Sequence, residues 1–239
     1  MPRLIDLSMP VHPAMQRYPG TVEPSIKLVE TTFESARRIG TDKMGFPELF
    51  AHSVCTFSEH CGTHIDARSH GGQDDSWSER IPIEKCYGPG LRLDLRHKRP
   101  GQPIAVDDLK AAIQKENCRV RGGEIVLLWT GAAGYNGEPR YLTDHPGMVG
   151  ESAEWLIDQG VQVMGIDAPG FDLPIKEMLE RRDPWPCHRL FKKREYWHIE
   201  NLANLGAIPR AHGYTVSVLP LRWVGATGTH IRAVAILEG

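Results

Sequence analysis

The chain lacks the features that would place it in several large protein classes. No apolar run approaches the roughly 18 residues needed to span a bilayer. The start, MPRLIDLSMPVHPAM, has no uninterrupted apolar stretch of the kind a secretory leader carries. Charge of either sign is not in excess: 28 Lys and Arg stand against 30 Asp and Glu, a net −2. That balance offers neither nucleic acid nor an anionic membrane surface a bulk attraction. The five cysteines, Cys55, Cys61, Cys86, Cys118 and Cys187, are odd in number and form no C-x-x-C pair. This argues against a disulfide framework and a zinc ribbon and fits a reducing compartment. A cytoplasmic protein with a small-molecule partner, and with neither nucleic acid nor membrane, is the expectation. Four motifs are also missing: H-E-x-x-H, G-x-S-x-G, G-x-G-x-x-G and the P-loop. Zincin proteases, elbow-type serine hydrolases and nucleotide binders therefore have no support.

What is present reads as one α/β unit. Apolar runs of strand length recur between Gly and Pro at 91–95, 124–129, 161–166, 216–221 and 231–237. Helical spacing is clearest over Val106 to Glu116, where Asp107 and Asp108 suit a helix N-terminus, and over Glu151 to Gln159, which Gly160 stops. Leu173 to Arg182 is a weaker third. Pro19 to Phe50 reads as irregular, and a loop of that length is usually functional or mobile. No repeat or Gly/Ser linker divides residues 1–239, so a single compact mixed domain is expected. The order of elements is no regular βαβ alternation.

The chemistry concentrates in Glu59-His60-Cys61-Gly62-Thr63-His64-Ile65-Asp66-Ala67-Arg68-Ser69-His70. On a helix, His60 and His64 share a face but Asp66 points away. In extended chain, His60, Gly62, His64, Asp66, Arg68 and His70 all fall on one side, with small or apolar residues on the other. Three imidazoles and a carboxylate suit a divalent zinc, manganese or iron ion, and Gly62 leaves room where the ion would sit. The competing account is an edge strand whose polar face meets water. A second polar group follows at Cys187-His188 and Tyr196-Trp-His-Ile-Glu200-Asn201. Spacing alone does not choose between His188 and His198 as a ligand, and either suits an ordinary core or surface position.

The stretch from His60 to His70 resembles the H-x-G-T-H-x-D-x-P-x-H signature of the cyclase family, which includes bacterial kynurenine formamidase and isatin hydrolase. Shorter pieces resemble the family in the right order: Ile5-Asp-Leu-Ser8, Tyr18-Pro-Gly20, Arg80-Ile-Pro-Ile-Glu84, Thr130-Gly131, Trp155-Leu156, Gly165-Ile-Asp-Ala-Pro169, Glu200-Asn-Leu, Leu219-Pro-Leu and Gly228 to Arg232. The resemblance implies a mixed α/β domain with a β-barrel-like core flanked by helices, assembled as a homodimer or larger. It implies one or two divalent ions, zinc first and manganese as the alternative. The ligands would be His60, His64 and Asp66, with His70 as acid/base or ligand and Glu200 orienting water or binding a second ion. The interval from His188 to Glu200 matches the family and selects His188. One departure stands out: the family's Pro is Arg68 here, which replaces a rigid φ by a charged donor fork. His230, where relatives often carry Pro, is a second.

The expected activity is metal-assisted hydrolysis of an amide, formamide, cyclic imide or lactone of a small ring-containing substrate. Arg68, Tyr18 and Phe46 are candidate substrate contacts, Arg68 equally a structural ion-pair former. The long segment before the signature favours ring opening of the isatin hydrolase kind over N-formylkynurenine hydrolysis. Rival expectations are a non-catalytic metal- or ligand-binding protein, disabled by Arg68, and a dehydrating cyclase.

Overall fold

The computed structural model describes residues 1–73 and 75–238. Among these residues thirteen strands are present: β1 (Arg3–Asp6), β2 (Ser25–Glu30), β3 (His52–Thr56), β4 (His64–Asp66), β5 (Tyr87–Asp94), β6 (Pro103–Ile104), β7 (Ile125–Trp129), β8 (Gly147–Met148), β9 (Val163–Ile166), β10 (Trp197–Glu200), β11 (Thr215–Ser217), β12 (Gly228–His230) and β13 (Val234–Leu237). The helices are α1 (Thr32–Ile39), α2 (Val106–Lys115), α3 (Gly150–Asp158), α4 (Ile175–Glu180) and α5 (Pro186–Leu190). Nine strands form one sheet in the order β1-β13-β11-β5-β7-β9-β10-β4-β12. Its centre, β5-β7-β9-β10, is parallel, and both wings are antiparallel. The sheet curls into a half-barrel flanked by few helices, so the expected mixed α/β class with a barrel-like core holds.

The apolar runs of the sequence lie in this sheet because its centre is buried on both faces. Along β7, Ile125 and Leu127 join Ile65, Val163, Ile199 and Val216 inside the curl, while Val126 and Leu128 pack with Leu109, Ala112, Ala153 and Leu156 under α2 and α3. Successive residues point to opposite faces, so a strand with two dry faces needs apolar residues at every position.

The stretch from Pro19 to Phe50 is not irregular. It contains β2, α1 and a 3-10 turn at Thr41–Met44, and β2 pairs antiparallel with β3 to form a two-stranded ribbon. The helix start was written in the sequence: Thr31 accepts from the Glu34 amide while Glu34 accepts from the Thr31 amide, a reciprocal cap, and Gly40 closes the helix in the left-handed region. The ribbon carries no strand pattern in the sequence because Ile26, Leu28, Val29 and Val54 are apolar yet exposed, so no in–out alternation marks it. No helix among the described residues is long and apolar enough to cross a membrane.

Candidate metal centre

The site forms where β4 lies between β10 and β12, with His64 opposite Glu200 on one side and His230 on the other. Strand alternation puts His64 and Asp66 on the same side of the sheet as His198 and Glu200. Ile65, Trp197 and Ile199 point the other way, into the curl. The extended reading of the segment therefore holds only for three residues. The chain bends through 60–63 before β4 and enters a 3-10 turn at Arg68–Gly71 after it. His60 and His70 reach the cluster from these flanking turns. Gly62 also serves a different purpose from the one expected: its φ of +63° makes the turn, and a Cβ there would meet Val11 at 2.8 Å. Room for an imidazole comes from Gly228, where a Cβ would lie 2.5 Å from the His60 ring.

The distances show how the donors converge. Oδ1 of buried Asp66 faces His60 Nδ1 at 2.8 Å and His64 Nε2 at 3.2 Å; Oδ2 faces His198 Nε2 at 2.9 Å and His188 Nε2 at 3.4 Å. Glu200 Oε1 accepts the Phe171 amide at 2.7 Å, and its Oε2 lies 3.6 Å from His64 Nε2. The His70 ring stacks at 4.0 Å from His60 and sits 5.2 Å from His188. Donor atoms of Asp66, His188, His198 and Glu200 lie within 4.8 Å of one another, as do those of His60, Asp66 and His70. Asp66 belongs to both sets.

The outward-facing nitrogens orient the rings. His64 Nδ1 donates to the Gly62 carbonyl at 2.9 Å, which leaves its Nε2 as a bare, buried acceptor with no hydrogen-bond partner among the described residues. His188 Nδ1 contacts Asp172 at 2.5 Å, a carboxylate–imidazole pairing that aims Nε2 at the cluster. His60 Nε2 meets Thr227 at 2.9 Å, and that hydroxyl donates to Glu59 at 2.9 Å, so His60 Nδ1 also turns a lone pair toward Asp66. Lone pairs converging on a buried carboxylate repel one another unless a cation lies between them. The orphaned His64 Nε2 and the nitrogen–oxygen donor set thus fit a divalent metal.

Titration behaviour follows the same geometry. Burial alone would raise the Asp66 pKa, but the charges of His70 and His60 and the contacts from His188 and His198 hold it well below the usual range. For His188, burial is outweighed by Asp172 and Asp66, which lift it well above an ordinary imidazole. His70 is open to the pocket on one side, yet the protein surrounding its ring pushes its pKa down to about 4.

A pocket of about 390 Å³ opens onto the cluster, lined by His60, His70, His188 and Glu200 at its floor and by Tyr18, Leu142, Leu173, Pro174, Ile175 and Trp185 on its walls. Trp185 is held at φ 45° where the chain enters α5, a conformation bulky residues seldom adopt. Its role left no mark in the sequence. A wider groove of about 910 Å³ near Tyr87 and His212 contains no part of the cluster.

The structure brings together His60, His64, Asp66, His70, His188 and Glu200, with Tyr18 on the pocket wall. It adds His198, so both His188 and His198 reach the cluster, His198 through its contact with Asp66. Two expected substrate contacts lie elsewhere. Arg68 follows the end of β4, so alternation no longer governs it, and its guanidinium donates to the Phe191 carbonyl at 2.9 and 3.1 Å. It pins the His70 turn to the segment ending α5 and lines a separate cleft with Trp77 and Trp197. Phe46 is 64% exposed and absent from the pocket lining. Asp172 and Thr227, which orient His188 and His60, were not anticipated, because each is an ordinary polar residue far from the signature.

A family model described as "Putative cyclase" matches residues 5–173. The chain belongs to the Cyclase family. The isatin hydrolase of Roseibium aggregatum is 27% identical over 204 residues, covering 79% of this chain and 76% of that one. The kynurenine formamidase of Sphingopyxis alaskensis is 29% identical over 236 residues, 98% of each chain. Among solved structures, an isatin hydrolase bound to the product analogue thioisatinate superposes with a TM-score of 0.84 at 22% identity, covering 100% of this chain and 93% of that one. Because the kynurenine formamidase match runs nearly end to end in both chains, the segment before the signature does not separate the two kinds of relative by length.

Proposed function

We propose that this Cyclase-family protein is a metal-dependent hydrolase of amide C–N bonds in a small, flat, ring-containing substrate, with cyclic amide opening favoured over formamide cleavage. The observation that carries the reading is the bare Nε2 of His64, buried beside Asp66 and behind Glu200, which lines the floor of a largely apolar pocket. The residues to hold an ion are His60, His64 and Asp66, with His70, His188 and Glu200 adjoining. A divalent ion bound there polarises a carbonyl and acidifies water. The donor set suits zinc first and manganese second, and the two sets sharing Asp66 accommodate one ion or two.

The chain's own residues supply the remaining steps. His70, with its pKa pushed down to about 4 and open to the pocket, is an unprotonated base at neutral pH. It takes the proton from the attacking water and returns it to the leaving nitrogen. Glu200, anchored by the Phe171 amide, directs its second oxygen into the site to orient that water. Tyr18, Leu142, Pro174 and Trp185 provide flat and apolar surfaces for a ring and exclude bulk solvent. No Arg or Lys lines this pocket among the described residues. An amino-acid substrate such as N-formylkynurenine carries a carboxylate that would find no Arg or Lys on the pocket wall, which favours the neutral cyclic amide.

The test is metal content of protein purified without chelator, followed by rates on isatin, N-formylkynurenine and small lactones. Turnover of isatin above the other two supports the reading. Preference for N-formylkynurenine would move it to the formamidase alternative, and metal without any turnover would leave a binding protein.

Among the described residues, eleven of the nineteen exposed large apolar side chains lie between residues 22 and 54, on the arm built from β2, α1 and β3. At about half exposure they offer on the order of 800–1,000 Å², near the share each partner contributes to a standard interface. The arm also carries both charge signs, with Lys27, Arg37 and Lys43 against Glu23, Asp42 and Glu48, as a self-complementary surface requires. We infer from this a homodimer joined through the arm, to be checked by sedimentation.

A further inference from the structure

We propose that His198 is a positioning residue for Asp66: its Nε2–H donates to Oδ2, which fixes the carboxylate so that Oδ1 is presented to His60 and His64. This deepens the metal-site reading and rests on it. The hydrogen bond is 2.9 Å long and entirely buried. Without it, nothing on that side of Asp66 would decide how the carboxylate turns, because His188 Nε2 stands farther off at 3.4 Å and is itself steered by Asp172.

His198 could instead be a ligand, since its donor atom lies close enough to those of Asp66, His188 and Glu200. The outward nitrogens argue against that. A metal-binding imidazole almost always donates its other N–H to a carbonyl, carboxylate or water, which fixes the ring and raises its basicity. His64 has the Gly62 carbonyl, His188 has Asp172, and His60 has the Thr227–Glu59 chain. His198 Nδ1 is buried with no partner among the described residues. Its ring is instead stacked on Phe171 at 4.5 Å and 11°, and lies 4.7 Å from the Phe191 ring. Apolar packing on its faces, not a polar anchor, sets its orientation. That arrangement places the hydrogen on Nε2, which lies 2.9 Å from Asp66 Oδ2 and well beyond hydrogen-bond reach, at 3.9 Å, from Glu200 Oε1, and leaves Nδ1 unprotonated among the rings.

The same placement explains how one carboxylate can belong to two donor sets. A hydrogen bond to Oδ2 holds the Asp66 plane, so the two oxygens face different imidazoles rather than swinging toward the nearer pair.

The experiment compares wild type, His198→Phe, His198→Gln and His198→Asn by Zn²⁺ competition with a chromophoric chelator and by the visible spectrum after loading with Co²⁺. The glutamine amide reaches where Nε2 stands; the asparagine amide stops near the Nδ1 position. Phe should weaken Zn²⁺ binding by about ten- to a hundredfold, Gln should recover most of the loss, and Asn should not. The Co²⁺ spectrum of the Gln variant should match wild type in band position and intensity, because no ligand has been removed. Wild-type affinity in the Phe variant would overturn the proposal. So would a changed Co²⁺ spectrum with reduced stoichiometry in the Gln variant, which would make His198 a ligand. If Phe does not fold, equal affinities of the Gln and Asn variants overturn it. Wild-type protein that binds neither Zn²⁺ nor Co²⁺ would remove the metal reading and this inference together.

Discussion

Two regions of the molecule reverse the usual placement of polar and apolar residues, in opposite directions. Around β4 and β10, His64, Asp66, His198 and Glu200 are buried, and His64 Nε2 and His198 Nδ1 lack hydrogen-bond partners among the described residues. On the arm of β2, α1 and β3, the apolar side chains of Leu28, Phe33 and Met44 face outward. Each reversal costs free energy in an isolated chain: a buried polar atom without a bond costs roughly 1–3 kcal/mol, and each exposed large apolar side chain forgoes about 1.5–3 kcal/mol of burial. The two costs call for different remedies. Converging lone pairs around a carboxylate are relieved by a cation, whereas a mixed-charge apolar surface is relieved by another protein surface. The comparison predicts that one region responds to chelator and the other to dilution.

The largest effect should come from the first region. Asp66→Ala, or stripping wild type with a chelator, should abolish bound metal and reduce hydrolysis to background, a loss of at least about 10⁴-fold. Elemental analysis and isatin turnover on the same samples check this. Retention of a full equivalent of metal in the variant would put the ion somewhere other than between His60, His64 and Asp66. His70→Ala should be gentler and differently shaped. Turnover should fall by about 10²- to 10⁴-fold while metal content stays near wild type; full activity would remove His70 from proton transfer.

The two regions also differ in how readable they were. The half-barrel was legible because both faces of β7 and β9 are largely dry, so these strands read as nearly unbroken apolar runs. The chain order and spacing of His60, His64, Asp66 and His70 pointed to the cluster they form, although the physical route was different: a three-residue strand between two turns rather than one extended segment. Arg68 was misread for the same reason, since alternation stops where the 3-10 turn begins. His198 was undervalued because a histidine on a strand looks the same whether it meets a core contact or Asp66; only the pairing of β10 with β4 decides. The arm was illegible for a deeper reason. Burial patterning reveals elements packed on their own chain, and the arm's apolar residues face away from it.

The arm's prediction is smaller in magnitude and depends on concentration. Leu28→Glu combined with Phe33→Glu should weaken self-association at least about a hundredfold, as placing charge at two half-exposed apolar positions of an interface implies. Sedimentation across a dilution series reads this directly. Metal content per chain should be unchanged, which separates the regions. A wild type that is monomeric throughout the series would break the comparison, leaving the arm an exposed surface without its own copy as partner.

A last effect, nearly cancelled in the wild type, concerns buried polar groups that require no outside partner. Asp167 accepts hydrogen bonds from the Thr130 amide and hydroxyl at 2.7 Å and from the Gly131 amide at 2.8 Å, yet burial lifts its pKa to about 6. Burial moves His145 the other way, to about 4, against its bond to the Pro146 carbonyl. Their linkages to stability have opposite signs in one pH window. With its folded pKa raised, Asp167 contributes stability that is complete below about pH 4 and lost as pH climbs through about 6. With its folded pKa depressed, His145 contributes stability that is complete above about pH 6.5 and lost as pH falls through about 4. Each amounts to roughly 3 kcal/mol, so in wild type they largely cancel. Asp167→Asn should expose the His145 slope, making the variant lose stability relative to wild type's curve as pH falls from 6.5 to 4. His145→Gln should expose the reverse slope over the same interval. Urea unfolding at half-unit pH steps, read as differences from wild type so that the cluster's own titration cancels, measures both. Difference curves flat with pH in both variants would mean that these groups do not titrate in the window, and that the cluster alone sets the acid limit of the fold.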